Sequence, residues 1–431
     1  MLIAYLTVLV ATTDAATRPL TKAQRACLLK SIGRKATIAY AAGKPVPLGL
    51  KAKIRRCLAK PVPKPPPNPP LPTPTPTAPC VPALDPGDVY GSEGPPNAVD
   101  AAANLKSTGT VRAIVLFVDF SDAPGTEAPD SIVSNWMAPG VEWLRTTSYG
   151  RVSIVLNPVL RWIRMPRPAD SYGYARGFTY ELHRRYIADA IAAADPTVDF
   201  SQTDAVYVVA PRTPLISFSP TFRGAPGVFA ADGRNLGPAV TFGLDAYTYG
   251  KTVLPHETSH MFGLPDLYLY SGSHAAVGTW DFMGNIFQPT DLFAWHRLKL
   301  GWLDAGQLTC AEAGKVTDET LTPLGATGGK KAVFVRTGPR TGLLVENRQP
   351  VGNDVAICDA GALVYTVDSG IATGLGPINV VGGDVSGNGC GHGNRSDAPL
   401  HVGESVVVAG VNIAVVAGSG TLIAVRVTVS Y

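Results

Sequence analysis

"VRAIVLFVDF" (111–120) breaks its apolar run only at Arg112 and Asp119. A run this short and this continuous reads as a buried strand rather than a half-exposed one. "GRVSIVLNPVLRW" (150–162) opens with alternation and reads as a second strand, and "DAVYVVAP" (204–211) as a third. Between Glu181 and Asp195, apolar Leu182, Tyr186, Ile187, Ala190, Ile191 and Ala194 recur at helical spacing until Pro196 stops them. A further helix is expected over "VLPHETSH" (253–260). This order predicts an α/β domain over 89–305, with one helix behind a twisted sheet and a second carrying the chemistry.

Beyond Trp302 the texture changes. "KAVFVRTG", "TGLLVENR", "GALVYTVDSG", "ESVVVAGVNIAVVAG" and "TLIAVRVTVSY" are short alternating segments split by glycine. They predict an all-β domain over 306–431, a sandwich or a barrel.

The other end is unlike either. Thirteen of the 37 Lys and Arg lie between Arg18 and Lys64, where no Asp or Glu occurs, leaving 24 basic against 33 acidic residues elsewhere. "RACLLK" (25–30) and "RRCLAK" (55–60) share a pattern, with "AAGKPVPLGL" between them as a breaker. Residues 17–60 therefore read as a basic helical hairpin stapled by Cys27 and Cys57, and its charge suits an anionic surface. Apart from Tyr40 no aromatic interleaves with these charges, so nucleic acid is not expected. The proline-rich stretch within 61–88 reads as an extended spacer.

The first sixteen residues are apolar and then small, short of the roughly 20 that a transmembrane helix needs. They read as a signal peptide ending near Ala15 or Ala16, which makes the chain secreted, with no transmembrane segment. Six cysteines without C-x-x-C spacing fit disulfides in that compartment. The local pairings are Cys27–Cys57 and Cys358–Cys390, which leaves Cys80 with Cys310. A thiolate switch at Cys80 is the less favoured alternative.

The chemistry centres on "VLPHETSHMFGLPDLY" (253–268). On a helix, His256 and His260 stand one turn apart on one face and can share a metal ion. Glu257 flanks that face, where a carboxylate can act as a base without ligating. Gly263 permits the unusual turn that ends the helix, and Pro265 keeps Leu264 out of it. Asp266 then completes a zinc-binding set, with Asp281 and His274 as rivals for the third place.

"HETSHMFGLPDLY" resembles the zinc motif of the immune inhibitor A group of secreted metalloproteases, which are metzincin-type. "GTWDFMGN" (278–285) resembles the methionine turn of such proteins, and "DLFAWHRLKLGWLD" (291–304) the helix that follows it. "AIVLFVDFSD", "TTSYGRVSI" and "LLVENRQPVGNDVAICDAGALVYTVD" extend the likeness, more softly, over about 111–370. The resemblance implies a metzincin-like catalytic domain and a zinc endopeptidase acting on proteins or peptides. It implies metal ligands His256, His260 and Asp266, with Glu257 carrying the proton and Met283 as the apolar floor beneath the metal. Two departures stand out. The N-terminal hairpin is not the large pro-region of that family, and Asn285 occupies the place where some metzincins put an oxyanion-stabilising tyrosine. Tyr268 and Tyr270 are nearby but are expected to pack.

Outside the motif the expectations are plainer. "DVSGNGCGHGNRSD" (384–397) opens like a calcium loop, yet Arg395 stands where a bidentate glutamate belongs, which favours a glycine-rich surface loop over Ca2+. His392 and His401 read as loop residues, and His183 and His296 as surface or packing. Glu346 and Arg348 are expected to pair with each other rather than to meet substrate. Two further functions compete with the endopeptidase: a catalytically silent surface-binding protein on the same scaffold, and a zinc hydrolase of a non-peptide substrate.

Overall fold

The computed structural model describes residues 22–42, 44, 50, 53, 54, 57, 92–94, 98–225, 227–384 and 394–430. The signal peptide and proline-rich spacer expected at 1–16 and 61–88 lie outside these residues. The chain divides into two compact units, Met1–Pro74 and Thr75–Tyr431.

In the first unit, helix α1 (Lys22–Ala41) carries Cys27, and a disulfide joins it to Cys57. Leu28, Ile54 and Cys57 form its small core. The first arm of the expected hairpin is present, but bent: Gly33 adopts φ +77° within it, where a left-handed residue interrupts the helical ladder. Residues 53, 54 and 57 are helical, as the second arm requires.

The second unit begins with a short helix α2 (Ala98–Ala103) and strand β1 (Gly109–Asp119). A helical segment follows: α3 (Pro129–Ile132) passes through a π-helical turn, Val133–Met137, into α4 (Ala138–Thr147). Strand β2 (Val152–Arg164), helix α5 (Tyr180–Ala194) and strand β3 (Ala205–Val209) come next. Three short strands, β4 (Thr221–Phe222), β5 (Phe229–Ala231) and β6 (Arg234–Leu236), precede β7 (Ala239–Phe242) and helix α6 (Ala246–Met261). The main sheet runs β2-β1-β3-β7-β4, parallel except for β4, which pairs antiparallel with β7 at one edge. β5 and β6 form a separate hairpin.

The apolar run of β1 is explained by its two covered faces. Val111, Ala113, Val115 and Phe117 join a core with Leu144 of α4 and Val253 and Leu254 of α6. Ile114, Leu116 and Val118 face the other way, onto Tyr186, Ile187 and Ala190 of α5. Sheets fed by crossovers are covered on both sides, so their strands lose alternation. Thr179 caps α5 by accepting from the Leu182 N–H, and the predicted apolar stripe is buried except at Leu182, which is half-buried. Helix α6 lies close against the π turn, since a Cβ on Gly250 would stand 2.5 Å from the Trp136 ring.

Helix α7 (Ala294–Lys299) leads to the β-rich part of the chain. There β8 (Leu308–Ala311), β9 (Val316–Leu321), β10 (Ala332–Arg336), β11 (Thr341–Arg348), β12 (Gly361–Asp368), β13 (Ile378–Val380), β14 (Ser405–Val408), β15 (Val411–Ser419) and β16 (Leu422–Val429) form two sheets. Their orders are β13-β12-β11-β10-β8 and β14-β15-β16-β9. Val333, Val335, Leu343, Val345 and Val364 of the first sheet pack on Ile413, Val415, Val425 and Val427 of the second, as a sandwich. The alternate residues Phe334, Leu344, Leu363 and Tyr365 turn the other way, into the core shared with α6. The α/β region and the sandwich are therefore built on one continuous core inside one compact unit.

The disulfide expected within the first unit is present, and Cys310 and Cys358 are disulfide-bonded as well. The partners expected for them, Cys80 and Cys390, lie outside the described residues. Among the described residues no helix is long and apolar enough to cross a membrane.

Candidate metal centre

Helix α6 ends where the motif requires. Gly263 takes φ +99°, its N–H bonds to the His260 carbonyl, and the Leu264 N–H bonds to Ser259. This is a Schellman closure, which satisfies the last carbonyls and turns the chain back. A side chain at Gly263 would also strike Asn104, 2.4 Å from its Cβ position. The reversal delivers Asp266 to the helix face that carries both histidines.

His256 Nε2, His260 Nε2 and Asp266 Oδ1 converge. His256 lies 3.2 Å from His260 and 3.1 Å from Asp266, and His260 lies 3.2 Å from Asp266. The opposite ring nitrogens are committed: Nδ1 of His256 meets the Phe282 carbonyl at 2.9 Å, and Nδ1 of His260 meets the Leu264 carbonyl at 2.7 Å. A carbonyl only accepts, so both Nδ1 atoms carry hydrogen and the neutral rings aim Nε2 lone pairs at one another. Asp266 Oδ1 is buried and has no hydrogen-bond donor. One proton can bridge two of three such acceptors, whereas a metal ion satisfies all three. The donor set of two imidazole nitrogens and one carboxylate oxygen suits zinc. Among the described residues these three form the one His, Cys, Asp or Glu group compact enough to hold a metal.

The charges respond to this crowding. Burial opposes a charge on His260, but Asp266 outweighs it and raises the imidazole pKa. Burial likewise opposes ionisation of Asp266, yet His260 and His256 hold its carboxyl far below the ordinary range. The Tyr268 hydroxyl donates to Asp266 Oδ2 at 3.1 Å, which leaves Oδ1 to face the rings. Tyr268 was expected merely to pack. It instead orients a candidate ligand, a role open to it because the turn after Pro265 brings residues 266 and 268 to one side. Tyr270 is 62% exposed at the cleft wall.

Glu257 stands beside the triangle and not in it, with Oε1 4.0 Å from His256 Nε2. The Thr221 hydroxyl of edge strand β4 lies 2.7 Å from the Glu257 carbonyl and 2.8 Å from Oε2, and its one hydrogen serves one of them at a time. Burial is the main influence on this carboxyl and pushes its pKa up to about 8. The site opens into a cleft of about 1220 Å³, whose walls include Phe218, Phe222, Tyr268 and the guanidinium-bearing Arg176 and Arg223.

The two rivals for third ligand lie elsewhere in the architecture. His274 lines the cleft with Nδ1 on the Gly284 carbonyl at 2.6 Å. Asp281 is fully buried, and its Oδ1 accepts the Met283 N–H at 2.8 Å to shape the turn. Met283 is fully buried in that turn, and its carbonyl accepts from Leu267 at 3.0 Å, next to Asp266. Asn285 folds back to accept from Phe287 and Gln288.

Other expectations resolve locally. Glu346 and Arg348 pair at 3.0 Å with no exposure, the plain reading for them, and Asp354 completes the group at 2.7 Å from Arg348. His183 is buried against Thr241. His401 is exposed between Asp359 and Glu404. Most of the calcium-like loop lies outside the described residues, and Arg395 turns its guanidinium onto the Gly382 and Ala275 carbonyls. The sequence reading missed Thr221, 36 residues from Glu257, and Glu93, discussed below. Neither sits in a motif that could have announced it.

No protein-family model matches the chain, and no curated protein matches it in sequence.

Proposed function

We propose that this chain is a secreted zinc endopeptidase of metzincin-like build, related in kind to the immune inhibitor A proteases. The observation that carries the proposal is the convergence of His256 Nε2, His260 Nε2 and Asp266 Oδ1 on one point, with Glu257 beside it. The motif resemblance and the disulfides support the same reading.

His256, His260 and Asp266 would hold a zinc ion, which when bound would supply Lewis-acid polarisation of a carbonyl and lower the pKa of a water. The protein does the rest. Glu257 Oε1, the oxygen on the ligand side, takes a proton and returns it to the leaving amine, while the Thr221 hydroxyl lies against Oε2. Phe282 and Leu264 keep the rings in the Nδ1–H tautomer, and Tyr268 keeps Asp266 presenting a single oxygen. The cleft is large enough for several side chains of an extended peptide and is walled by aromatics.

The test is cleavage of a quenched-peptide library by the full chain and by Glu257→Ala, with zinc quantified in both. The expected result is zinc in both proteins and a loss of cleavage of about 10²–10⁴-fold in the variant. Zinc without peptide cleavage, but with hydrolysis of esters or other amides, would move the assignment to a non-peptide hydrolase. Absence of zinc from the wild type after reconstitution would overturn the proposal and leave a silent binding scaffold.

A further inference from the structure

The turn at 281–283 is the hub of the candidate centre. The Phe282 carbonyl orients His256, the Met283 carbonyl pins Leu267 beside Asp266, and Asp281 Oδ1 sets the turn itself. The other oxygen of Asp281 reaches away from the cleft. It accepts the Phe293 N–H at 2.9 Å and lies 2.9 Å from His296 Nδ1. The far nitrogen of that ring, Nε2, is 3.2 Å from Glu93 Oε1. Glu93 Oε2 is held by Trp295 Nε1 at 2.9 Å and by the Lys299 ammonium at 2.7 Å. Glu93, Asp281 and His296 are each at most 1% exposed.

An imidazole caught between two carboxylates can satisfy both only as the imidazolium, with a hydrogen on each nitrogen. Its grip on Asp281 is then an ion pair as well as a hydrogen bond. Glu93 supplies the counter-charge that keeps the ring in that form, and it comes from a segment 203 residues away in sequence. We infer that Glu93 is a positioning residue: through His296 and Asp281 it holds the turn that aims two of the three candidate metal ligands. The order of contacts runs Glu93, His296, Asp281, then the Phe282 and Met283 carbonyls, without a gap wider than a hydrogen bond. The inference rests on the metal reading above. It adds that the quality of the centre depends on Glu93 staying docked on α7.

The experiment measures the zinc dissociation constant by chelator competition, and the visible spectrum of the cobalt-substituted protein. Wild type, Glu93→Gln and Glu93→Asp are compared. As a control, Asn347→Ala removes a buried side chain that bonds Leu321 and Thr421, away from the turn. Replacing a partner behind a metal ligand weakens binding by about 10- to 100-fold, and the longer relay here places Glu93→Gln near tenfold. Glu93→Asp retains the charge at shorter reach and should recover part of that loss, with an intermediate cobalt spectrum. The control should lower thermal stability and leave both metal readouts unchanged. If Glu93→Gln fails to fold, Glu93→Asp decides alone: a weakened zinc constant supports the inference. Wild-type zinc affinity and cobalt spectrum in a folded Glu93 variant would overturn it and leave a structural buried cluster. Wild-type protein that binds neither metal would instead overturn the functional proposal on which it depends.

Discussion

Each ligand-bearing side chain is tied at its far end, so single substitutions separate holding from reacting. Tyr268→Phe removes only the donor to Asp266 Oδ2. It should weaken zinc by about tenfold while stability changes by less than about 1.5 kcal/mol. Titration with a zinc indicator beside a denaturant melt checks both, and unchanged affinity would reduce Tyr268 to packing. Substrate preference follows from charge at the same scale. Arg176 rests over Phe218 at 4.8 Å, and Arg223 Nε is buried with no acceptor; both line the cleft, and neither pairs with a carboxylate among the described residues. Peptides with glutamate or aspartate should therefore be cleaved faster than their amide counterparts, with the advantage shrinking in salt. Arg223→Gln should shrink it in the same way. Equal rates for the two peptide sets would refute this.

At the scale of elements, the device to break is the helix end. Gly263→Ala asks an L-residue to hold φ +99° and to displace Asn104. The expected loss is about 1–2 kcal/mol from the backbone alone, with zinc affinity falling because Asp266 shifts. Denaturant melts with and without zinc measure the two parts, and a variant as stable and as tightly zinc-bound as wild type would contradict the turn's role. How much of the site was legible follows the same lines. His256, Glu257, His260, Gly263 and Asp266 fall within eleven consecutive residues, and helix periodicity plus one glycine suffice to bring them together. Helix α5 was legible to within a residue because an apolar stripe recurs at helical spacing until Pro196 stops it, while its N-cap, Thr179, was not read. Strands β4 and β7 were not. β4 is two residues long, and β7 borrows its register from β3 and not from any pattern of its own. Thr221 and Glu93 were illegible for the same reason, since sheet pairing and docking alone bring them to the site. The small first unit offers a separate test. Its disulfide closes a loop of 30 residues, worth about 3–4 kcal/mol in a chain-entropy account. Cys57→Ser should make α1 readily digestible by trypsin, and protection equal to wild type would refute that dependence.

Across the second unit the α/β region and the sandwich share buried charge as well as apolar core. Arg348 of β11 donates to the Trp280 and Asp291 carbonyls, and Arg297 of α7 donates to the Leu324 carbonyl. Such a unit should unfold as one body, and its response to pH should carry the mark of its buried pairs. His296 is the clearest. Burial opposes its charge, but Asp281 and Glu93 overcome it and raise the pKa from 6.5 to about 9. The folded chain then binds this proton more tightly than the unfolded chain. The contribution is complete below about pH 6.5 and is lost as pH rises through about 9. For Glu93, burial alone would raise the pKa, but Lys299 and His296 hold it well below its ordinary 4.5. Its contribution is complete above 4.5 and is lost as pH falls toward the depressed value. Together they set a plateau between about pH 4.5 and 6.5. On the alkaline side the loss should be on the order of 3 kcal/mol by pH 10. Glu257, which burial raises from 4.5 to about 8, loses its contribution between those values and so tilts this plateau downward in the wild type, while Lys331, lowered to about 8 by burial, adds stability above that pH. Urea melts of wild type and His296→Gln from pH 4 to 10 isolate the histidine by difference. The gap between the two proteins should be widest on the plateau and close by about pH 9.5. A gap that stays constant with pH would mean that folding leaves the histidine's proton affinity unchanged, and one that grows as pH rises through 6.5 would mean that His296 is held neutral; either would remove the imidazolium from the account of this core.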